Sequence, residues 1–306
     1  MKFGQSKNPE FIDFRLPADD PRTAEILKQN DPGKPMNVYV GCAKWNKTDL
    51  KNFYPRGTKD ELTYYSRQFN SIELNATFYS MPGREQVITW REKAAENFRF
   101  FPKITQSISH MRRLNNVDEL VTEYCDNISN FEDKLGMVFL QLHDNFGYKN
   151  YDRLVRFIGN FPKAIPLAVE LRNTEWFNNA AVSNEVYQLF KKHRVTNIVV
   201  DTAGRRDLLH MRLTTPKAFI RYVGANDPQS DRQRLDDWIG RLKIWVDQGL
   251  RDIYFFVHQN IEMESPFLSA YFIERLNNEF GLKLQIPTLL ASLTPSTISH
   301  SKKKLN

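Results

Sequence analysis

The sequence predicts a single (β/α)8 barrel of the TIM type, preceded by an N-terminal arm and followed by a short C-terminal tail. Three observations carry that expectation. Eight short apolar runs rich in branched and aromatic residues recur along the chain. Helix-like amphipathic stretches separate most of them. Several runs are almost continuously apolar, as parallel strands covered on both faces must be. Eight such alternations over about 250 residues suit the eight-stranded barrel better than an open doubly wound sheet. The open sheet usually carries a Gly-rich phosphate turn after its first strand. Here Gly41-Cys42-Ala43-Lys44-Trp45 supplies one glycine and then a bulky ring.

The elements follow in order. Residues 1–36 read as a polar arm punctuated by Pro17, Pro21, Pro32 and Pro35, with a short helix over Pro21–Gln29 behind Asp19 and Asp20. The barrel is assigned to residues 37–284. Its strands are expected at Asn37–Gly41, Ser71–Asn75, Arg99–Ile104, Gly136–Leu142, Pro166–Leu171, Asn197–Asp201, Ala218–Val223 and Asp252–Val257. Asp60 can cap a helix through Tyr64, Tyr65 and Phe69, and Gly83 precedes another over Glu85–Ala95. Val117, Leu120, Val121, Tyr124 and Ile128 form a helical stripe. Tyr151–Phe161, Asn184–His193 and Asp231–Gln248 read the same way, and Ser265 is placed to cap a last helix. The sixth connection, Ala203–Pro216, carries the weakest helical signal. Residues 285–306 read as a tail with a basic end, Lys302-Lys303-Lys304.

Composition narrows the function classes. A chain of 306 residues, 41% apolar with 22 Phe, 12 Tyr and 5 Trp, can bury a large core and is unlike a disordered protein. The net charge of +7 fits an anionic partner, but no Lys/Arg stripe with interleaved aromatics points to nucleic acid. Cys42 and Cys125 form no CxxC and no metal-ligand spacing, which suits a reducing, cytoplasmic setting. Met1 to Asn30 holds no signal-peptide apolar region, and no apolar run reaches the ~20 residues of a membrane helix.

Barrel active sites lie at the C-terminal ends of the strands, so the polar residues expected there are the candidates. The first strand leads to Trp45. The second gives Glu73 and Asn75, with Tyr79 just beyond. The third gives Lys103, with His110 further along, and the fourth gives Gln141 and His143. The fifth gives Glu170 and Arg172, then Trp176. The sixth ends at Asp201, the seventh carries Arg221, and the eighth ends at His258. Six of these are charged: Glu73, Glu170, Asp201, Lys103, Arg172 and Arg221. Buried ions rarely recover their desolvation in a purely structural role, whereas a ligand-binding cavity removes that objection.

The same residues carry a family likeness. Tyr64-Tyr65, Phe69, the run Ile72-Glu73-Leu74-Asn75-Ala76-Thr77-Phe78-Tyr79, Pro82 and Trp90 closely resemble the YecE-like family, long catalogued as a domain of unknown function. Phe53-Tyr54-Pro55, Phe98-Arg99-Phe100 with Lys103, Ser109-His110, Leu135-Gly136, Leu140-Gln141-Leu142, Val169-Glu170-Leu171-Arg172, Trp176-Phe177, Asp201 and Ile220-Arg221 extend it from about Val38 to Phe280. The resemblance implies a TIM-type barrel and no defined chemistry. The chain departs from the family pattern at Gly41-Cys42-Ala43-Lys44-Trp45, Leu142-His143, Arg221-Tyr222-Val223-Gly224 and His258-Gln259-Asn260.

The leading functional expectation is an enzyme acting on a small anionic substrate, a phosphate or carboxylate, at the C-terminal mouth. Glu73, Glu170, His110 and Asp201 are the catalytic candidates, the two glutamates as general acid or base and His110 as a proton shuttle. Trp45, Asn75, Tyr79, Lys103, Gln141, Arg172, Trp176, Arg221 and His258 are the binding candidates, with Lys103, Arg172 and Arg221 clamping the anion. No cofactor is expected. A divalent-metal version built on Glu73, His110, Glu170, Asp201 and His258 is disfavoured by three cations at the same mouth and by the lack of His-x-His spacing. A non-catalytic module for a nucleotide, sugar phosphate or nucleic acid is the alternative.

Overall fold

The computed structural model describes residues 4–6, 8–31 and 33–290. In chain order the described helices and strands are α1 (Pro21–Leu27), β1 (Asn37–Cys42), α2 (Glu61–Gln68), β2 (Ser71–Leu74), α3 (Ala76–Tyr79), α4 (Arg84–Lys93), β3 (Arg99–Pro102), α5 (Asp118–Ile128), β4 (Val138–Gln141), α6 (Tyr151–Asn160), β5 (Leu167–Glu170), α7 (Ala180–His193), β6 (Thr196–Thr202), β7 (Lys217–Val223), α8 (Pro228–Asp247), β8 (Asp252–His258) and α9 (Ser265–Phe280). Each expected strand is present within a residue or two. Asp60 accepts from the Thr63 amide at 2.8 Å and caps α2 as expected. Ser265 does not cap α9. It is the first helical residue, and its hydroxyl bonds Glu262 instead. Residues 291–306, most of the expected tail, lie outside the described residues. No described helix is long and apolar enough to cross a membrane. Cys42 and Cys125 are both free and buried.

All strand pairings are parallel. The strands form a six-stranded sheet, ordered β1-β8-β7-β6-β5-β4, and a two-stranded sheet of β2 and β3. The expected ring of eight is therefore found as two hydrogen-bonded pieces. The sheets curl around a shared interior, where Tyr39, Phe101, Phe139, Ala168, Ile198, Val200, Phe219, Tyr254 and Phe256 pack together. Phe101 of β3 lies 4.8 Å from the ring of Phe256 of β8 across that interior. A second, larger apolar layer sits between the strands and the surrounding helices.

Side chains do the work of the ladder where the two pieces meet at β1 and β2. Asn70 donates from its amide to the Val38 carbonyl at 2.7 Å and accepts from the Val40 amide at 2.9 Å. The Tyr65 hydroxyl accepts from the Cys42 amide and donates to the Ser71 carbonyl. A Cβ on Gly41 would stand 2.2 Å from the Ser71 carbonyl oxygen, so only glycine allows this approach. On the other side, isolated bridges pair Phe100 with Leu135 and Lys103 with Phe139. Asn70→Ala is expected to cost about 1–3 kcal/mol, because it strips the partners of one backbone donor and one acceptor. Urea unfolding of the variant measures that loss, and an unchanged midpoint would remove Asn70 from this role.

The sixth connection holds only a one-turn helix, Arg206–Leu208, which matches its weak sequence signal. The N-terminal arm packs there instead. Thr23 donates to the Met211 carbonyl and accepts from the Leu213 amide. Arg22 reaches Asn184 of α7, and Asp19 accepts from Trp245 of α8 at 3.0 Å. Asn30 donates to Pro216 and Gly249. The start of the arm, Gly4, lies against Thr202 and Val223, at the ends of β6 and β7.

Candidate functional site

Strand parity decides which polar residues meet. Glu73, Gln141, Glu170, Arg221 and His258 sit at the C-terminal ends of β2, β4, β5, β7 and β8, and Lys103 immediately follows β3. In register, Gln141 pairs with Glu170, and Arg221 lies beside Phe256, an interior ring. The polar layer thus stands directly above the apolar interior.

Arg221 is the hub. Its Nε and one terminal nitrogen each donate to Glu73 at 2.7 Å, a bidentate fork. Its other terminal nitrogen donates to Glu170. Glu73 also meets His258 Nε2 at 2.9 Å and accepts from the Asn75 amide at 2.8 Å. Glu170 accepts from Arg172 Nε at 2.5 Å and from Gln141 at 3.0 Å. Both carboxylates are fully buried. Burial pushes the Glu73 carboxyl up, but Arg221 and His258 outweigh it and hold it well below the usual range. For Glu170, burial is likewise outweighed by Arg221 and Arg172, and its carboxyl falls to about 2. Groups held ionised in this way are poor general acids at neutral pH.

Lys103 is held differently. It is buried, with its ammonium 2.8 Å from the Gln141 oxygen and 4.0 Å from the centre of the Phe78 ring. Among the described residues it makes no ion pair. Burial, with Arg221 and Arg172 nearby, lowers it to about 7. The neighbouring His110 ring is nearly perpendicular to the same Phe78 ring, with centres 4.9 Å apart, and its centre stands 5.1 Å from that of the His143 ring. His110 lies on a π-helical turn, Ser107–Met111, a distortion frequently found at functional sites. Burial and then Lys103 lower His110 to about 4.

The structure does not bring every candidate here. Val200, not Asp201, pairs with Arg221, so Asp201 faces the opposite side of the sheet. There it accepts from Arg234 and from the Trp238 indole, each at 2.7 Å, and pairs with Arg206. Burial raises its carboxyl, but Arg234 and Arg206 bring it down. Trp176 is fully buried, with its indole donating to the Phe146 carbonyl at 2.7 Å. Trp45 packs edge-on against Trp90 and Phe100 in the layer under the helices. Tyr79 is exposed at the rim against Phe78. Ser109 is a contributor whose role the sequence left unassigned. Its hydroxyl touches His110 Nδ1 at 2.9 Å, and only its adjacency to that histidine in the sequence signalled it. Among the described residues, no three His, Cys, Asp or Glu side chains stand together as a metal site.

Together these features define an α/β protein of parallel strands with a buried network of charged side chains at the strands' C-terminal ends. The chain belongs to the DUF72 family of proteins of unknown function, whose model matches residues 39–290. It is 27% identical over 252 residues to the UPF0759 protein YecE of Escherichia coli K12, covering 76% of this chain and 89% of that one. It is 27% identical over 275 residues to the UPF0759 protein YunF of Bacillus subtilis 168, covering 80% and 96%. A crystal structure of a DUF72 family protein from Enterococcus faecalis V583 superposes with a TM-score of 0.65 at 19% identity, covering 79% of this chain and 98% of that one. A second crystal structure of the same protein gives a TM-score of 0.66.

Proposed function

We propose that the eight strands form one (β/α)8 barrel and that the protein is an enzyme acting on a small anionic substrate at the barrel's C-terminal mouth. The observation that carries this reading is Lys103. Glu73, Glu170, Arg221 and Arg172 satisfy one another's charge, while the Lys103 ammonium is buried beside them with no carboxylate of its own among the described residues. An ammonium has three donors. A phosphate or carboxylate entering past Phe78 supplies both the missing charge and the missing acceptors. Arg221 serves this site indirectly, by fixing the two glutamates.

Binding should then be linked to a proton. The anion pairs with protonated Lys103, so affinity is flat below about pH 7 and falls above it. Above that point the loss approaches about tenfold per pH unit. Sulfate, whose charge is constant over this range, is the suitable probe in calorimetry. Lys103→Met should reduce sulfate affinity by about tenfold or more at pH 6. Equal binding by the variant would sink the anion reading, whereas affinity independent of pH between 6 and 9 would mean that Lys103 meets the anion as an ordinary, fully charged lysine. Catalysis is tested by incubating the protein with a metabolite mixture and following conversion by mass spectrometry, where Lys103→Met should be inactive.

A further inference from the structure

The hydrogen-bond geometry around Ser109 fixes the tautomer of His110. The Ser109 hydroxyl oxygen lies 3.1 Å from the Thr105 carbonyl oxygen. A carbonyl oxygen can only accept, so in this bond the serine is the donor. Having donated its one proton, the hydroxyl can only accept from His110 Nδ1, 2.9 Å away. His110 Nδ1 therefore carries the hydrogen, and Nε2 presents a lone pair. Among the described residues nothing hydrogen-bonds Nε2. The charged and titratable groups around the ring are Lys103 from the end of β3, His143 after β4, and Glu170 and Arg172 from β5 and its loop. Lys103 and Arg172 both oppose an imidazolium, so the ring stays neutral and Nε2 stays an acceptor.

A donor and an acceptor thus flank one aromatic ring. The Lys103 ammonium lies 4.0 Å from the centre of the Phe78 ring, and the His110 ring stands nearly perpendicular to that ring with centres 4.9 Å apart. We infer that the mouth takes a small anion that also carries a hydroxyl group, with the anion on Lys103 and the hydroxyl donating to His110 Nε2, which Ser109 holds in its acceptor tautomer. This rests on the anion reading above and specifies its ligand. Ser109 is a positioning residue, acting through His110.

Two measurements test it. Nitrogen NMR of isotope-labelled histidine rings reads the tautomer without any ligand. The Nδ1–H form should dominate for His110 in the wild type and in Ser109→Thr, which keeps the hydroxyl, and should lose its dominance in Ser109→Ala. A dominant Nε2–H form in the wild type overturns the inference. Calorimetry then compares glycerol phosphate with propyl phosphate, and lactate with propionate. Each hydroxylated anion should bind about tenfold more tightly than its partner, and whichever pair binds more strongly identifies phosphate or carboxylate. The preference should vanish in His110→Phe and in Ser109→Ala. Equal binding within both pairs overturns the hydroxyl subsite but leaves the anion reading standing. Failure of all four to bind overturns the anion reading and this ligand with it.

Discussion

Arg221→Met is expected to lower folding stability by about 3–5 kcal/mol. The reason is the asymmetry between an ion network and a broken one. In the wild type, the guanidinium gives two bonds to Glu73 and one to Glu170, and both carboxylates are fully buried. Removing it leaves Glu73 with His258 and Asn75, and Glu170 with Arg172 and Gln141. Two fully buried carboxylates then lose the guanidinium that bridges them. Part of the loss should be recovered by neutralising the carboxylates, since their charge, and not the missing side chain, carries the cost. The triple variant Arg221→Met, Glu73→Gln, Glu170→Gln should therefore be more stable than Arg221→Met alone, and acidifying Arg221→Met towards pH 5 should narrow its deficit. Urea unfolding of the wild type and both variants at pH 7 and pH 5 measures these differences. A deficit under about 1 kcal/mol for the single variant would mean that the network is solvated and not buried as the geometry requires.

The order of the strands and most helices was legible in the sequence because apolar periodicity and turn residues are local. The facing of the polar residues was not. A strand covered on both sides is apolar throughout, so its sequence does not mark which face looks inward. Asp201 illustrates this. It lies next to the last residue of β6 much as Glu170 ends β5, yet its pairing one position beyond Val200–Arg221 turns it outward to Arg234 and Trp238. Glu73 and Arg221 were legible as site residues, but not as each other's partners, because 148 positions separate them. Trp45 and Trp176 show the limit for aromatic residues, whose composition does not separate a core ring from a stacking surface. Asn70 gave almost no signal, since an asparagine before a strand usually marks a turn and here replaces a backbone ladder.

Acid should destabilise the protein in a window set by the same network. Glu170 has an ordinary value of 4.5 and falls to about 2 in the folded state. A depressed carboxyl contributes stability that is fully present above the unfolded value and lost as pH falls through the folded one. For Glu170 alone this is on the order of 3 kcal/mol, lost between about pH 4.5 and pH 2, and Glu73 and Asp201 shift in the same direction. Lys103 acts at the other end. It falls from 10.5 to about 7, so in that interval the unfolded chain binds more protons than the folded one and stability rises with pH. Its burial penalty is fully present below about pH 7. The wild type should therefore be more stable at pH 9 than at pH 6, while Lys103→Met should lose that slope and gain stability at pH 6. Unfolding free energies of wild type, Lys103→Met and Glu170→Gln across pH 2–10 separate the two limbs. A Lys103→Met protein that kept the rise between pH 7 and pH 9 would show that another group titrates there, and the cation proposed to meet the substrate would then be an ordinary, fully charged lysine.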